Sequence, residues 1–199
     1  MEKKVSALIL CAGESSRMGD FKPLLPLEDS TVIERSVSSV LDVCSHAVVV
    51  TGKRAEEVEE VLERAFSGRV SFVRNERYSF TDMLTSIRLG LSVLPFCEYF
   101  FLLPGDMPLV RRETFERLIE DRHSADTLYP VFHGRRGHPV LISTRLKEQI
   151  LAYCGDSGLK GFLSTVDSIK EIPVEDSGIL LDLDTRDDYQ TAKKLIIRR

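Results

Sequence analysis

Short apolar runs alternate along the chain with longer stretches in which apolar residues recur every three or four positions. Residues 5–10 are apolar apart from Ser6, the continuous run expected of a strand buried on both faces. Segments 47–51, 70–73, 99–103, 128–132 and 140–142 read the same way, and 99–103 is the most apolar and therefore expected at the sheet centre. Helical spacing fills the intervals. Segment 31–43 aligns Ile33, Val37, Val40 and Leu41, and 55–66 turns Val58, Val61, Leu62 and Ala65 inward. Segment 83–94 aligns Ile87, Leu91 and Leu94 before Pro95 stops it, and 113–120 forms a further helix. Ser143 and Thr144 offer caps for a helix through Leu151, and 155–158 opens a short helical segment. Segments 169–174 and 179–183 predict late strands, and 186–197 a closing helix.

Strand–helix alternation predicts an open, mostly parallel α/β sheet with helices on both faces. The turn at 133–137, set between two strands, adds one antiparallel insertion. No repeat, low-complexity tract or linker interrupts the pattern, so 1–199 reads as a single domain.

The 199 residues carry 27 Lys+Arg against 31 Asp+Glu, a formal charge of -4. A nucleic-acid binder needs a basic excess to displace counterions, so that class is disfavoured; a local basic pocket for a small anion is not. No run approaches the length of a membrane span, and the N-terminus lacks the apolar core of a signal peptide, so a cytoplasmic location and no membrane partner are expected. Cys11, Cys44, Cys97 and Cys154 form no CxxC pair, which leaves buried free thiols as the favoured reading.

In open α/β sheets ligands bind beyond the carboxyl ends of the strands, and three polar clusters fall there. The loop after the first strand, Cys11 to Pro23, combines Gly13 and Gly19 with the cations Arg17 and Lys22. Neither GxGxxG nor a P-loop is present, yet glycines and cations together suit a triphosphate cradle. At the end of the most apolar strand, Gly105-Asp106-Met107-Pro108 offers a carboxylate suited either to Mg²⁺ or to capping a turn. Asp182 and Asp184, two apart, share a face in extended backbone and suit completing a metal site with Asp106; the alternative is that Asp184 or Thr185 caps the last helix, and the two roles are compatible, one each. A fourth stretch, Gly134 to Val140, mixes a turn with Arg135, Arg136 and a lone His138, which reads as structural or as an anionic-substrate contact. Glu56, Glu57, Glu59 and Glu60 read as a solvated helix face.

In this order the clusters closely resemble the MobA-like nucleotidyltransferases, specifically the molybdenum-cofactor cytidylyltransferase branch. Leu10 to Lys22 matches the family opening Leu-Ala-Ala-Gly-x-Ser-x-Arg-Met-Gly-x-x-Lys, with Cys11 for the first Ala. Asp106-Met107-Pro108 matches its Asp-Met-Pro, and Arg136-Gly137-His138-Pro139-Val140 its Arg-Gly-His-Pro-Val. Gly155-Asp156-Ser157-Gly158 matches Gly-Asp-x-Gly, and Asp182-Leu183-Asp184-Thr185 resembles Asp-Ile-Asp-Thr. The resemblance implies a Rossmann-like enzyme that joins CTP to molybdopterin and releases pyrophosphate. It implies catalytic Arg17, Lys22 and Asp106, and nucleotide contacts along Leu10, Ala12, Gly13, Ser15, Ser16, Pro104 and Gly105. It also implies Mg²⁺ on Asp106 with Asp182 or Asp184, and acceptor contacts at Arg136, His138, Asp156 and Lys160.

Ala12, where the guanylyl branch has Gly, and the lack of that branch's Asp before Lys22 favour cytosine over guanine. Departures gather on the acceptor side: Leu159-Lys160 for Ala-Arg, Glu76 for Pro after Asn75, Asp82-Met83 for Gly-Met, and Arg186-Asp187 for Pro-Glu. The alternatives are a GTP-using transferase, a sugar- or polyol-phosphate acceptor, or a non-catalytic chaperone that hands the cofactor to a client molybdoenzyme.

Overall fold

The computed structural model describes residues 5–13 and 21–196. Its order is β1 (Val5–Cys11), β2 (Pro26–Leu27), β3 (Ser30–Thr31), α1 (Val32–Leu41), β4 (Ala47–Thr51), α2 (Ala55–Phe66), β5 (Val70–Arg74) and α3 (Met83–Val93). There follow β6 (Tyr99–Pro104), α4 (Arg112–Asp121), β7 (Thr127–Phe132), β8 (Arg135–Arg136), β9 (Val140–Ser143), α5 (Lys147–Ala152), α6 (Gly158–Leu163), β10 (Ile169–Pro173) and α7 (Arg186–Ile196). The main sheet runs β10-β7-β9-β6-β1-β4-β5, with β8 on β7. β6, β1, β4 and β5 are mutually parallel. β9 lies antiparallel between β6 and β7, which is the expected insertion.

Because β1 alternates, Ala7 and Ile9 face one layer and Leu8 the other. The first layer packs α1, α2 and α4 through Ile33, Val37, Val58, Leu62, Phe115 and Leu118. The second packs α3, α5 and α6 through Leu84, Ile87, Leu91, Ile150, Phe162 and Leu163. The Phe101 and Phe115 rings meet edge-to-face at 5.1 Å, fixing α4 on the central strand. α1 starts on a capping box, Thr31 accepting from the Glu34 amide while Glu34 accepts from the Thr31 amide.

Several expectations are corrected. Segment 179–183 is not a strand. Ser177–Leu180 forms a 3₁₀ turn and the chain then crosses the carboxyl end of the sheet. Side chains and neighbouring loops take up its hydrogen bonds: the Ile179 carbonyl accepts from the His138 amide, and the Leu183 amide donates to the Asp106 carbonyl. Its apolar residues made it look like a strand because Ile179 and Leu183 are both fully buried, in two different clusters. Ala65 is exposed, since Val58 and Leu62 suffice to seat α2. Cys154 is exposed, unlike the other three thiols. Glu59 is no solvated bystander: it accepts from the Thr51 hydroxyl at 2.7 Å and is clamped by Arg74.

Candidate active site

Strand ends and one crossing loop build the site. β1 and β6 are adjacent and parallel, so their carboxyl ends bring Leu10–Gly13 beside Pro104–Asp106. The Gly105 amide donates to the Leu10 carbonyl at 2.9 Å. A Cβ at Gly105 would stand 2.8 Å from Ile33 Cδ1 and 3.2 Å from the Leu10 carbonyl, so a glycine is what lets these two loops close.

Lys22 enters from a 3₁₀ turn, Lys22–Leu24, and is only 6 % exposed. A buried ammonium needs partners, and its Nζ donates to Asp184 Oδ1 at 2.7 Å, with Asp106 Oδ2 at 3.9 Å. The amide of Leu183, between Asp182 and Asp184, anchors on the Asp106 carbonyl at 3.1 Å, which draws all three acids to one place. Thr185 caps α7 by pairing with Asp188, leaving Asp184 to Lys22. Burial pushes the Asp106 carboxyl above the usual carboxylate range; Lys22 opposes this, while Asp182 and Asp184 add to it. The Cys11 thiol, buried beside Asp106, is pushed up to about 12 and so stays protonated.

Two cavities meet here. One of about 270 Å³ is lined by Leu10, Ala12, Gly13, Lys22, Pro104 and Gly105 together with Tyr78, Thr81, Asp82 and Ser86. The other, about 670 Å³, is lined by Lys22, Asp106, Asp182, Asp184, Arg135, Arg136 and His138. Asp106 and Met83 border both. The buried Asn75 amide supports the smaller cavity by donating to the Thr81 and Ser86 hydroxyls, at 2.9 and 3.0 Å. A broader groove between α1 and α4 lies away from all of these acids.

His138 reaches the larger cavity, where burial lowers its pKa against opposing contributions from the Leu102 carbonyl and Asp182. Its Nδ1 is enclosed without a hydrogen-bond partner among the described residues.

The structure thus brings Leu10, Ala12, Gly13, Lys22, Pro104, Gly105, Asp106, Asp182, Asp184, Arg136 and His138 to one cleft. Ser15, Ser16 and Arg17 lie outside the described residues. Asp156 and Lys160 are exposed and line neither of these two cavities. Their segment packs by Phe162 and Leu163 onto the α3 layer, which leaves Asp156 and Lys160 on its outer side. Tyr78, Thr81 and Ser86 line the smaller cavity although no sequence motif marks them; Ser86, in the first turn of α3, is the one with a local signal, a polar position on a mostly apolar helix.

The donor set is all oxygen and suits a hard cation. Among the described residues no three His, Cys, Asp or Glu side chains form a metal cage. One or two carboxylates completed by ligand phosphates is the arrangement that fits Mg²⁺ or Mn²⁺.

Residues 7–171 match the family model described as MobA-like NTP transferase domain. The chain is 32% identical over 190 residues to the molybdenum cofactor cytidylyltransferase of Escherichia coli K12, covering 96% of each chain. It is 26% identical over 200 residues to a Bacillus anthracis protein named "Probable molybdenum cofactor guanylyltransferase", again covering 96% of each. Rv0371c of Mycobacterium tuberculosis H37Rv superposes with a TM-score of 0.83 at 23% identity, over 98% of this chain and 100% of that one. Its manganese complex superposes at 0.75 with 25% identity, over 96% and 98%.

Proposed function

The chain belongs to the MobA-like NTP transferase family of nucleotidyltransferases, and from that premise we propose that it transfers CMP from CTP to molybdopterin with Mg²⁺, releasing pyrophosphate. The observation that carries this reading is the meeting of two cavities at Asp106, with Lys22 and the Asp182–Asp184 loop beneath it.

The reaction joins an acceptor phosphate oxygen to the α-phosphorus and breaks the bond to the β-phosphate oxygen. It needs in-line positioning and charge neutralisation rather than a covalent enzyme intermediate. The smaller cavity takes the nucleoside, bounded by the Leu10–Gly13 backbone, and the larger takes the acceptor. Lys22, held in place by Asp184, presents fixed positive charge between them; the role of Arg17 on the triphosphate rests on the family motif alone. Asp106 with Asp182 or Asp184 would hold Mg²⁺, and the cation would supply neutralisation of the triphosphate charge. The buried Cys11 thiol takes no part as a nucleophile, because burial keeps it protonated. In this reading the product passes to a client molybdoenzyme, and the protein acts in the cytoplasm. The described residues contain no helix long and apolar enough to cross a membrane.

Pyrophosphate release measured with CTP, GTP, ATP and UTP, each with and without molybdopterin, tests the reading. The expected result is release with CTP that depends on molybdopterin. Release with GTP alone among the nucleotides refutes the choice of base. Tight cofactor binding without release points instead to a carrier.

A further inference from the structure

Two adjacent arginines stand at the wall of the larger cavity, and the β7–β8 hairpin separates their roles. His133 and Gly134 both have positive φ, 48° and 76°, and make the two-residue turn that starts β8. Register then pairs Arg135 with Phe132 and Arg136 with Val131. Successive side chains in extended backbone point to opposite faces, so Arg136 shares the face of Val131 and Tyr129. Glu171 of β10 registers with Tyr129 and lies on that face too.

Arg136, although exposed, is accordingly engaged on that face. Its guanidinium carbon lies 4.7 Å above the Tyr129 ring, and its Nε donates to Glu171 Oε1 at 2.6 Å. Stacking and carboxylate pairing are the two bonds a guanidinium makes best, and both are in use. Lys22, the other cation of the cavity, is bonded to Asp184. The Arg135 side chain has no ion pair, hydrogen bond or ring contact among the described residues, is exposed, and lines the cavity. A phosphorylated acceptor entering this cavity meets three carboxylates, Asp106, Asp182 and Asp184. Of the cations among the described lining residues, only Arg135 is uncommitted.

We propose that Arg135 contacts the phosphomonoester of the acceptor and sets its affinity, while Arg136, the arginine of the family motif, is a strut tying the hairpin to β10. The inference rests on the proposed transfer to a phosphorylated acceptor and names the residue that recognises it. Arg135 is a binding residue: it adds a charge-assisted bond to the acceptor without touching the nucleotide cavity.

Steady-state kinetics of the full-length chain with CTP, Mg²⁺ and molybdopterin test this, comparing Arg135→Gln, Arg135→Lys and Arg136→Gln. Arg135→Gln is expected to raise the acceptor KM about tenfold, the size of one hydrogen bond to a charged group, leaving the CTP KM and the Tm as in the wild type. Arg135→Lys keeps the charge but loses the planar fork and should fall between. Arg136→Gln should lower the Tm and raise the acceptor KM by a smaller factor than Arg135→Gln. An acceptor KM within twofold of wild type in Arg135→Gln overturns the inference, as does an equal rise in the CTP KM. Wild-type turnover of a sugar or polyol phosphate in place of molybdopterin would refute the proposed function, yet a raised KM for that acceptor in Arg135→Gln would uphold the inference. If no phosphorylated acceptor is turned over, both fall.

Discussion

Asp106 shows how a single residue can serve a site at the expense of the fold. Its carboxyl titrates above the ordinary 3.8 mainly because it is buried; Lys22 opposes the shift, while Asp182 and Asp184 add smaller repulsions to it. Below pH 3.8 the group is protonated folded and unfolded and contributes nothing. As pH rises, the unfolded chain releases its proton first, so stability is lost progressively until the folded carboxyl has ionised too. Asp106→Asn is therefore expected to raise the Tm at pH 8 and not at pH 3.5, while abolishing pyrophosphate release; calorimetry across pH, paired with the release assay, checks both halves. A Tm unchanged at pH 8 would show that Lys22 already compensates for the burial. The Mg²⁺ concentration for half-maximal rate should rise on acidification, because the proton and the cation compete for the Asp106 carboxylate and burial favours the proton. Lys22→Met should lower kcat by about a hundredfold or more, the size of losing one preorganised charge at the reacting centre, with the acceptor KM less affected. Asp106 and Lys22 were both legible from their motifs. Their mutual 3.9 Å approach was not, since nothing in the spacing of residues 22 and 106 brings them together.

At the scale of elements, the decisive piece is the crossing at 177–184, which the apolar pattern assigns to the sheet and the structure places across its end. Asp176 directs it. This side chain is 2 % exposed and accepts from the Arg111 amide, the Thr114 hydroxyl and the Gly178 amide at 2.8 to 2.9 Å. A carboxylate satisfied by three donors holds the start of the crossing against α4, and Leu183 is then delivered to the Asp106 carbonyl. Asp176→Ala leaves those donors unsatisfied and should cost about 2–4 kcal/mol, read by urea denaturation. In addition, the Mg²⁺ concentration for half-maximal rate should rise, because Asp182 and Asp184 lose their placement. A stability loss with an unaltered Mg²⁺ requirement would assign Asp176 a purely structural role. Periodicity identified the helices and the parallel strands well, since burying one stripe or both faces leaves a mark on sequence. It failed at 179–183 because burial at the end of a sheet leaves the same mark as burial within it.

For the whole molecule, the question is how a chain of net charge -4 receives polyphosphates. Lys22 and Arg135 face the cleft, whereas acids such as Glu56, Glu57 and Glu60 lie on α2, outside it. Ligand binding should accordingly be local and stabilising: CTP with Mg²⁺ at a hundred times its dissociation constant adds about 2.7 kcal/mol to folding stability. Thermal shift should show this, with GTP giving the smaller shift; an equal shift with GTP would count against cytosine selection. What the sequence by itself determined was the α/β class, the parallel core with its antiparallel insertion, the ligand end of the sheet and the acids of the site, because each depends on neighbours in the chain or on a contiguous motif. Only the tertiary structure decided the path of the 177–184 crossing, the engagement of Lys22 with Asp184, and the contacts of Arg136 with Tyr129 and Glu171. Those outcomes rest on contacts between residues far apart along the chain, backbone bonds at the crossing and side-chain bonds elsewhere, which no local pattern encodes.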